Sequence, residues 1–180
     1  MRDIVSMKMN KSFMTETAVS TVSPESAPPD PREILVPIDF SQSSVNALRH
    51  AAFLAAKQGA HLTLLNVLEE PVSFRALDLA AQEHRRQHDH ARQLQKLVDC
   101  ELDPGIAANM VVRTGDPSHE ISLVAAQRHS DLIVMGRHEH HGLRRWFRGH
   151  TVRRVADNAP CPVMVLNDEY QAPIRRKLAA

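Results

Sequence analysis

Regular alternation of short apolar runs with longer segments of three-to-four-residue periodicity predicts an α/β fold. The expected form is a doubly wound, five-stranded parallel sheet with helices on both faces, of Rossmann-like type. Strand-like runs recur five times, and helical spacing or breaker residues fill the intervals between them. The second run, His61 to Val67 (HLTLLNV), is almost continuously apolar, as a strand covered on both faces of a parallel sheet must be. Right-handed crossovers then leave few topologies open.

The folded part begins near Glu33. Ile34 to Ser41 (ILVPIDFS) reads as a strand closing on Asp39. Ser41 to Lys57 carries Val45, Leu48, Ala52, Leu54 and Ala55 at helical spacing, with Ser41 or Ser43 as N-cap and Gly59 as the stop. After His61–Val67 and Pro71, the residues Phe74, Leu77, Ala81, His84, His88, Ala91, Leu94 and Val98 recur every three or four positions. That is the stripe of one long amphipathic helix, broken at Asp103-Pro104-Gly105. Asn109 to Arg113 is the next strand, Gly115-Asp116-Pro117 a turn, and Pro117 to Arg128 a helix with Ile121, Val124 and Ala125 inward. Asp131 to Met135 is the fourth strand, Thr151 to Asn158 the last helix, and Pro160 to Leu166 (PCPVMVL) the last strand.

Composition bounds the functions available. A chain of 180 residues, 43% hydrophobic and 24% charged, suits one domain with extensions. The expected division is a disordered N-terminal extension over residues 1–31, a domain over 32–168 and a basic tail over 169–180. The first segment is rich in Ser, Thr, Met and Pro without a sustained period, so it buries too little to offset its ordering entropy; a short docked helix is the alternative. A net charge of +1 gives no global field directed at nucleic acid or membrane. Two cysteines, Cys100 and Cys161, without a CxxC pair or a secretory leader, fit a cytoplasmic protein with free thiols. Cys161, in an apolar run, reads as an inert buried thiol.

The stretch from Ile133 to Asn158 (IVMGRHEHHGLRRWFRGHTVRRVADN) carries the chemistry. A β-branched run reaches Gly136, a loop crowded with His and Arg passes through Gly142 to Gly149, and an apolar-periodic segment starts near Thr151. Glycines at a strand end and a helix mouth let backbone N–H groups approach an anion, and the helix N-terminus adds partial positive charge. The loop therefore reads as a phosphate cradle, against the plainer reading that its glycines only turn the chain. Arg137, Arg144, Arg145, Arg148, Arg153 and Arg154 crowd the same region against Glu139 and Asp157, either for phosphate or as a solvated basic face. Asp39 and Gly136 both fall at strand C-termini, where parallel sheets bind ligands at the reversal of strand order. They are expected to face one crevice. Asp39 has a second reading, as a cap for the helix after Ser41.

Eleven histidines raise the question of metal. His138, His140 and His141 beside Glu139 offer close ligands, and His84 with His88 has the i, i+4 spacing of one helix face. No cysteine accompanies them. His84 and His88 also fall on the apolar stripe, where a packed, hydrogen-bonded histidine is the competing reading.

Several of these segments resemble the universal stress protein family. ILVPIDFSQSSVNAL is similar to the family's opening strand and helix, TLLNV to its second strand, TGDPSHEI to the turn after its third, and DLIVMG with APCPVMVL to its closing strands. The resemblance covers about Arg32 to Leu166. It implies a doubly wound domain, commonly homodimeric, with a nucleotide crevice in the ATP-binding branch. Carried over by position, it implies a ligand set of Pro37, Asp39, Val67, Met135, Gly136, Arg137, Glu139, Gly142, Gly149, His150 and Thr151. Asp39 would face the adenine and Val67 would line its pocket. The family's loop pattern is Gly, two residues, Gly, nine residues, Gly, then Ser or Thr. Here Gly136 and Gly149 match, while Glu139 and His150 replace the second glycine and the hydroxyl, with Thr151 one residue late. The resemblance also lays Trp146 over the phosphates.

The resulting expectation is a cytoplasmic, non-enzymatic module that binds ATP, with a divalent metal, and acts as a homodimer through its last strand. The alternatives are a stress protein that binds no nucleotide and works by protein contacts, and a weak ATP hydrolase. Phosphoryl transfer needs charge neutralisation and a positioned base or metal. The sequence shows neither a Walker lysine nor paired carboxylates near Gly136.

Overall fold

In a computed structural model, the described residues are 31–69, 79–137 and 149–167. The expectations for the N-terminal extension, the C-terminal tail, Phe74 and Leu77, and the loop at 138–148 lie outside them. The elements run β1 (Glu33–Pro37), α1 (Gln42–Gln58), β2 (His61–Leu68), α2 (Leu79–Glu101), β3 (Ala108–Thr114), α3 (Pro117–Gln127), β4 (Leu132–Arg137), α4 (Gly149–Asn158) and β5 (Val163–Asn167). The strands form one five-stranded parallel sheet in the order β3-β2-β1-β4-β5. The predicted class holds, and strand order reverses between β1 and β4.

Side-chain alternation along the strands builds two cores. On one face Ile34 and Val36 of β1 meet Ala47, Leu48, Ala51, Ala52 and Ala55 of α1 and Leu94 of α2. On the other face Leu35, Leu65, Ile133 and Met135 meet Ile121, Val124 and Ala125 of α3 and Val155 of α4. Each such large side chain removed from water contributes about 1.5–3 kcal/mol. β2 is buried from Leu62 to Leu68, which is why its sequence reads as an unbroken apolar run.

Local chemistry sets the helix ends. The Ser41 hydroxyl accepts from the Ser44 N–H at 3.2 Å and caps α1. Gly59 takes φ 69° and closes the helix with its N–H on the Ala55 carbonyl at 2.8 Å; a left-handed C-cap is the place where glycine costs least. Asp116 caps α3 by accepting from the His119 N–H at 2.9 Å, and Pro117 opens that helix.

Three expectations need correction. β1 ends at Pro37, two residues before Asp39, because proline has no N–H with which to extend the ladder. β4 continues through Gly136 to Arg137, and α4 begins at Gly149 rather than Thr151. His84, His88 and Ala91 are exposed and do not form the inward stripe of α2. The inward positions are Glu83, Arg86, Gln87 and His90, half-buried, followed by Leu94, Leu97 and Val98. Residues 83–90 of α2 thus present a polar face to the sheet, and hydrophobic spacing alone selects a neighbouring stripe.

Candidate functional site

The carboxyl edge of the sheet contains a notch. β1 stops at Pro37, while β2 on one side continues to Leu68 and β4 on the other to Arg137. The last register pair of β1 and β2 is Pro37 with Leu65. Just beyond it the Ile38 N–H still donates to the Leu65 carbonyl at 2.8 Å. The Ile38 carbonyl takes the Asn66 side-chain amide at 2.7 Å instead of a backbone N–H. Leu65 therefore points its backbone groups at β1, and the Leu68 carbonyl, which accepts from Gly115 N–H at 2.9 Å, points at β3. Backbone groups alternate along a strand, so the Val67 N–H and C=O point to the side where β1 has ended.

The floor of the notch is the turn from Pro37 to Ser41. The half-buried Asp39 uses Oδ1 to accept from the Ser41 N–H at 3.0 Å and from the Ser41 hydroxyl. Its own N–H lies 3.4 Å from the Ser44 hydroxyl. The helix cap is Ser41, so Asp39 is not the cap; it braces the turn that leads into one. Phe40 has φ 64°, a left-handed conformation that is uncommon for a bulky side chain.

Across the notch, Gly136 is buried, and a Cβ placed there would meet the carbonyl carbon and oxygen of Ser43 at 2.4 Å. Glycine is required for the first turn of α1 to lie against β4. Met135 and Pro37 are also buried and Arg137 is exposed at the strand end. Gly149, His150 and Thr151 form the first turn of α4, with His150 exposed and Thr151 half-buried. The opening N–H groups of a helix have no partner within it and favour an anion. Glu139 and Gly142 lie outside the described residues.

Further round, Arg154 of α4 donates to Asp116 Oδ2 at 2.9 Å and ties α4 to α3. The Ser118 hydroxyl, the His119 N–H and Arg154 together hold the Asp116 carboxyl below its ordinary range, the hydroxyl contributing most. Cys161 is half-buried and precedes β5 instead of lying within it. Desolvation, with help from Asp131, pushes its thiol up to about 11, so it stays protonated at neutral pH. Among the described residues no group of three or more His, Cys, Asp or Glu is assembled to hold a metal ion, and no helix is long and apolar enough to cross a membrane.

Two residues at this edge escape a reading by pattern. Asn66 is 1% exposed, and its Oδ1 lies 2.8 Å from His90 Nδ1 of α2. The signal was a lone polar residue inside LLNVL, since a buried amide requires partners.

A sequence profile described as the universal stress protein family matches residues 31–167. Universal stress protein YxiE of Bacillus subtilis is 29% identical over 146 residues, covering 74% of this chain and 97% of its own. Among solved structures, universal stress protein UspA from Lactobacillus plantarum superposes with a TM-score of 0.58 at 30% identity, over 74% of this chain and 96% of that one. At 21% identity, which shows the fold alone, a universal stress protein crystallised in complex with cAMP has a TM-score of 0.55 over 77% of this chain and 98% of that one. The chain belongs to the universal stress protein family.

Proposed function

We propose that the notch binds an adenine nucleotide, with ATP the ligand, and that the protein is a non-enzymatic module of the cytoplasmic stress response. The observation that carries this reading is the early end of β1, which turns the Val67 N–H and C=O toward a gap bordered by Asp39. One edge of adenine presents a ring nitrogen acceptor beside an amino donor. A strand N–H and C=O side by side match that pattern, because each backbone group needs a partner when buried. Gly136 lies on the far wall and the first turn of α4, Gly149 to Thr151, offers N–H groups to phosphate. That a related family member was crystallised with cAMP supports the same ligand class here. A divalent cation would arrive on the triphosphate, since Mg²⁺ is usually held through phosphates and one or two carboxylates.

The substitutions Glu139 and His150 favour a second reading, in which the adenine half is retained and triphosphate is disfavoured. The absorbance ratio at 260 and 280 nm of freshly purified protein, with mass analysis of what denaturation releases, separates the two. Co-purified ATP supports the first reading, and adenosine or a monophosphate supports the second. A nucleotide-free protein that calorimetry also finds unable to bind would leave a partner-only role.

The same reading includes a homodimer through β5. That strand lies at the sheet edge and its Val163, Met164 and Val165 are only half-buried. An apolar edge strand is an aggregation risk unless paired, and two-fold pairing removes both edges. Sedimentation at micromolar concentration should show a dimer; monomer alone would end this part of the proposal.

A further inference from the structure

The inward polar face of α2 is unusual, and its most buried contact is the one nearest the notch. His90 Nδ1 meets Asn66 Oδ1 at 2.8 Å, and Asn66 Nδ2 donates to the Ile38 carbonyl at 2.7 Å. A carbonyl only accepts, so the Asn66 amide has its nitrogen toward Ile38 and its oxygen toward His90. His90 therefore carries its hydrogen on Nδ1, and the contact is the same in the neutral and the charged ring. The His90 ring also meets Phe40 edge-on, with centroids 5.7 Å apart and planes at 61°. Phe40 is the left-handed residue between Asp39 and the N-cap Ser41.

One side chain thus holds both parts of the notch on its β1–β2 side. Through Asn66 it fixes the Ile38 carbonyl, whose diversion from the ladder leaves the Val67 backbone facing the gap. Through Phe40 it holds a backbone conformation that a bulky residue adopts only when its surroundings enforce it, and that conformation sets where Asp39 lies.

We infer that His90 is a positioning residue for the ligand of the notch: it holds Asn66 and Phe40 so that Val67 and Asp39 present a fixed recognition edge. The inference rests on the adenine-nucleotide reading above. It acts on the base and not on the phosphates, so adenosine and ATP should respond alike.

The test uses the full chain, with calorimetric titration of adenosine and of ATP with Mg²⁺, and thermal melting alongside. His90→Leu leaves the Asn66 oxygen buried without its donor and should weaken both ligands about tenfold. His90→Asn places an amide N–H where Nδ1 stood and should hold both within about threefold of wild type. Leu94→Ala, on the same helix but in the core, should lower the melting temperature and leave both affinities unchanged. Phe40→Gly suits a positive φ, which offsets part of the packing lost against the first core, and leaves Asn66 untouched; it should still fold yet bind both ligands about threefold more weakly. If His90→Leu does not fold, this variant decides the matter. Unchanged affinity in both His90→Leu and Phe40→Gly, or in Phe40→Gly alone should His90→Leu not fold, overturns the inference. So does a loss of affinity in Leu94→Ala equal to that in His90→Leu. A wild type that binds neither ligand removes the nucleotide reading and the inference with it, whereas a wild type that binds beside unresponsive variants removes the inference alone.

Discussion

The two sides of the notch are built on different principles. On the β1–β2 side, Asp39 and Ser41 form one hydrogen-bonded group and His90, Asn66 and the Ile38 carbonyl another, and the Phe40–His90 ring contact joins them. On the β4–α4 side the determinant is an absence of side chain, Gly136 against Ser43. The first side is polar and braced by three elements, and it carries the residues that agree with the family pattern. The second meets the family pattern at Gly136 and Gly149 but departs from it at Glu139 and His150. Gly136 serves the packing of α1 against β4 whatever is bound, whereas position 139 enters only through the proposed ligand.

That contrast is sharpest at Gly136. Gly136→Ala places a Cβ inside contact distance of backbone atoms, which cannot yield as a flexible side chain would. It should cost about 3 kcal/mol and lower the melting temperature by about 10 °C, as calorimetry or circular dichroism would register. A variant that melts with wild type would show that α1 can withdraw from β4 without penalty.

Glu139→Gly addresses the other determinant. A carboxylate about 6 Å from a phosphate repels it by roughly 3 kcal/mol at an effective dielectric near 20. Neighbouring arginines and salt offset part of this, leaving about tenfold in affinity. ATP binding should tighten by that factor in parallel titrations while adenosine binding does not change. An equal gain for both ligands would mean that Glu139 acts on the base side, and the two-sided description would fail.

The Asp116–Arg154 bridge joins α3 to α4, and both side chains are about half exposed, so its effect is small. The Ser118 hydroxyl, the His119 N–H and Arg154 hold the Asp116 carboxyl below the ordinary carboxylate range. A depressed carboxylate contributes stability that is present above the unfolded value and is lost as pH falls through the folded one. Asp116→Asn keeps a good helix cap but not the charge. Below pH 4 wild type should therefore lose stability more steeply than the variant, and urea midpoints across that range measure it. Parallel curves would show that the bridge contributes nothing beyond the cap.

The smallest effect concerns the thiols. Cys100 is exposed, and the Cys161 thiol is pushed up to about 11. Iodoacetamide at pH 8 should alkylate Cys100 well before Cys161, as peptide mass mapping would report. The reverse order would mean that the strip ahead of β5 opens readily.

Much of the fold was legible because period and composition report burial directly. His61–Val67 read as a doubly covered strand, and the structure buries it from Leu62 onward. Ile121, Val124 and Ala125 read as the inner face of α3 and are buried. Two of the failures have identifiable causes. Where the inward face is polar, as at Glu83, Arg86, Gln87 and His90, hydrophobic spacing points at the adjoining stripe and selects His84 and His88. Where a strand ends by the chemistry of one residue, as at Pro37, an apolar run overestimates its length. Both lie beside the notch: Pro37 ends β1 there, and His90 reaches it through Asn66. Asp39 and Gly136 were visible as strand-end residues, but their contacts with Ser41 and Ser43 depend on how α1 lies on the sheet. Position alone does not encode that.

The central question is whether the Val67 backbone reads a base. Amide chemical shifts of isotope-labelled protein, followed while adenosine and then ATP are added, test this directly. The Val67 amide should shift saturably with both ligands, together with Phe40 and Ser41, while Val111 on the edge strand β3 remains still. Amides at 149–152 should move with ATP only. An unmoved Val67 amide at millimolar nucleotide, or shifts confined to the α4 turn, would contradict the account.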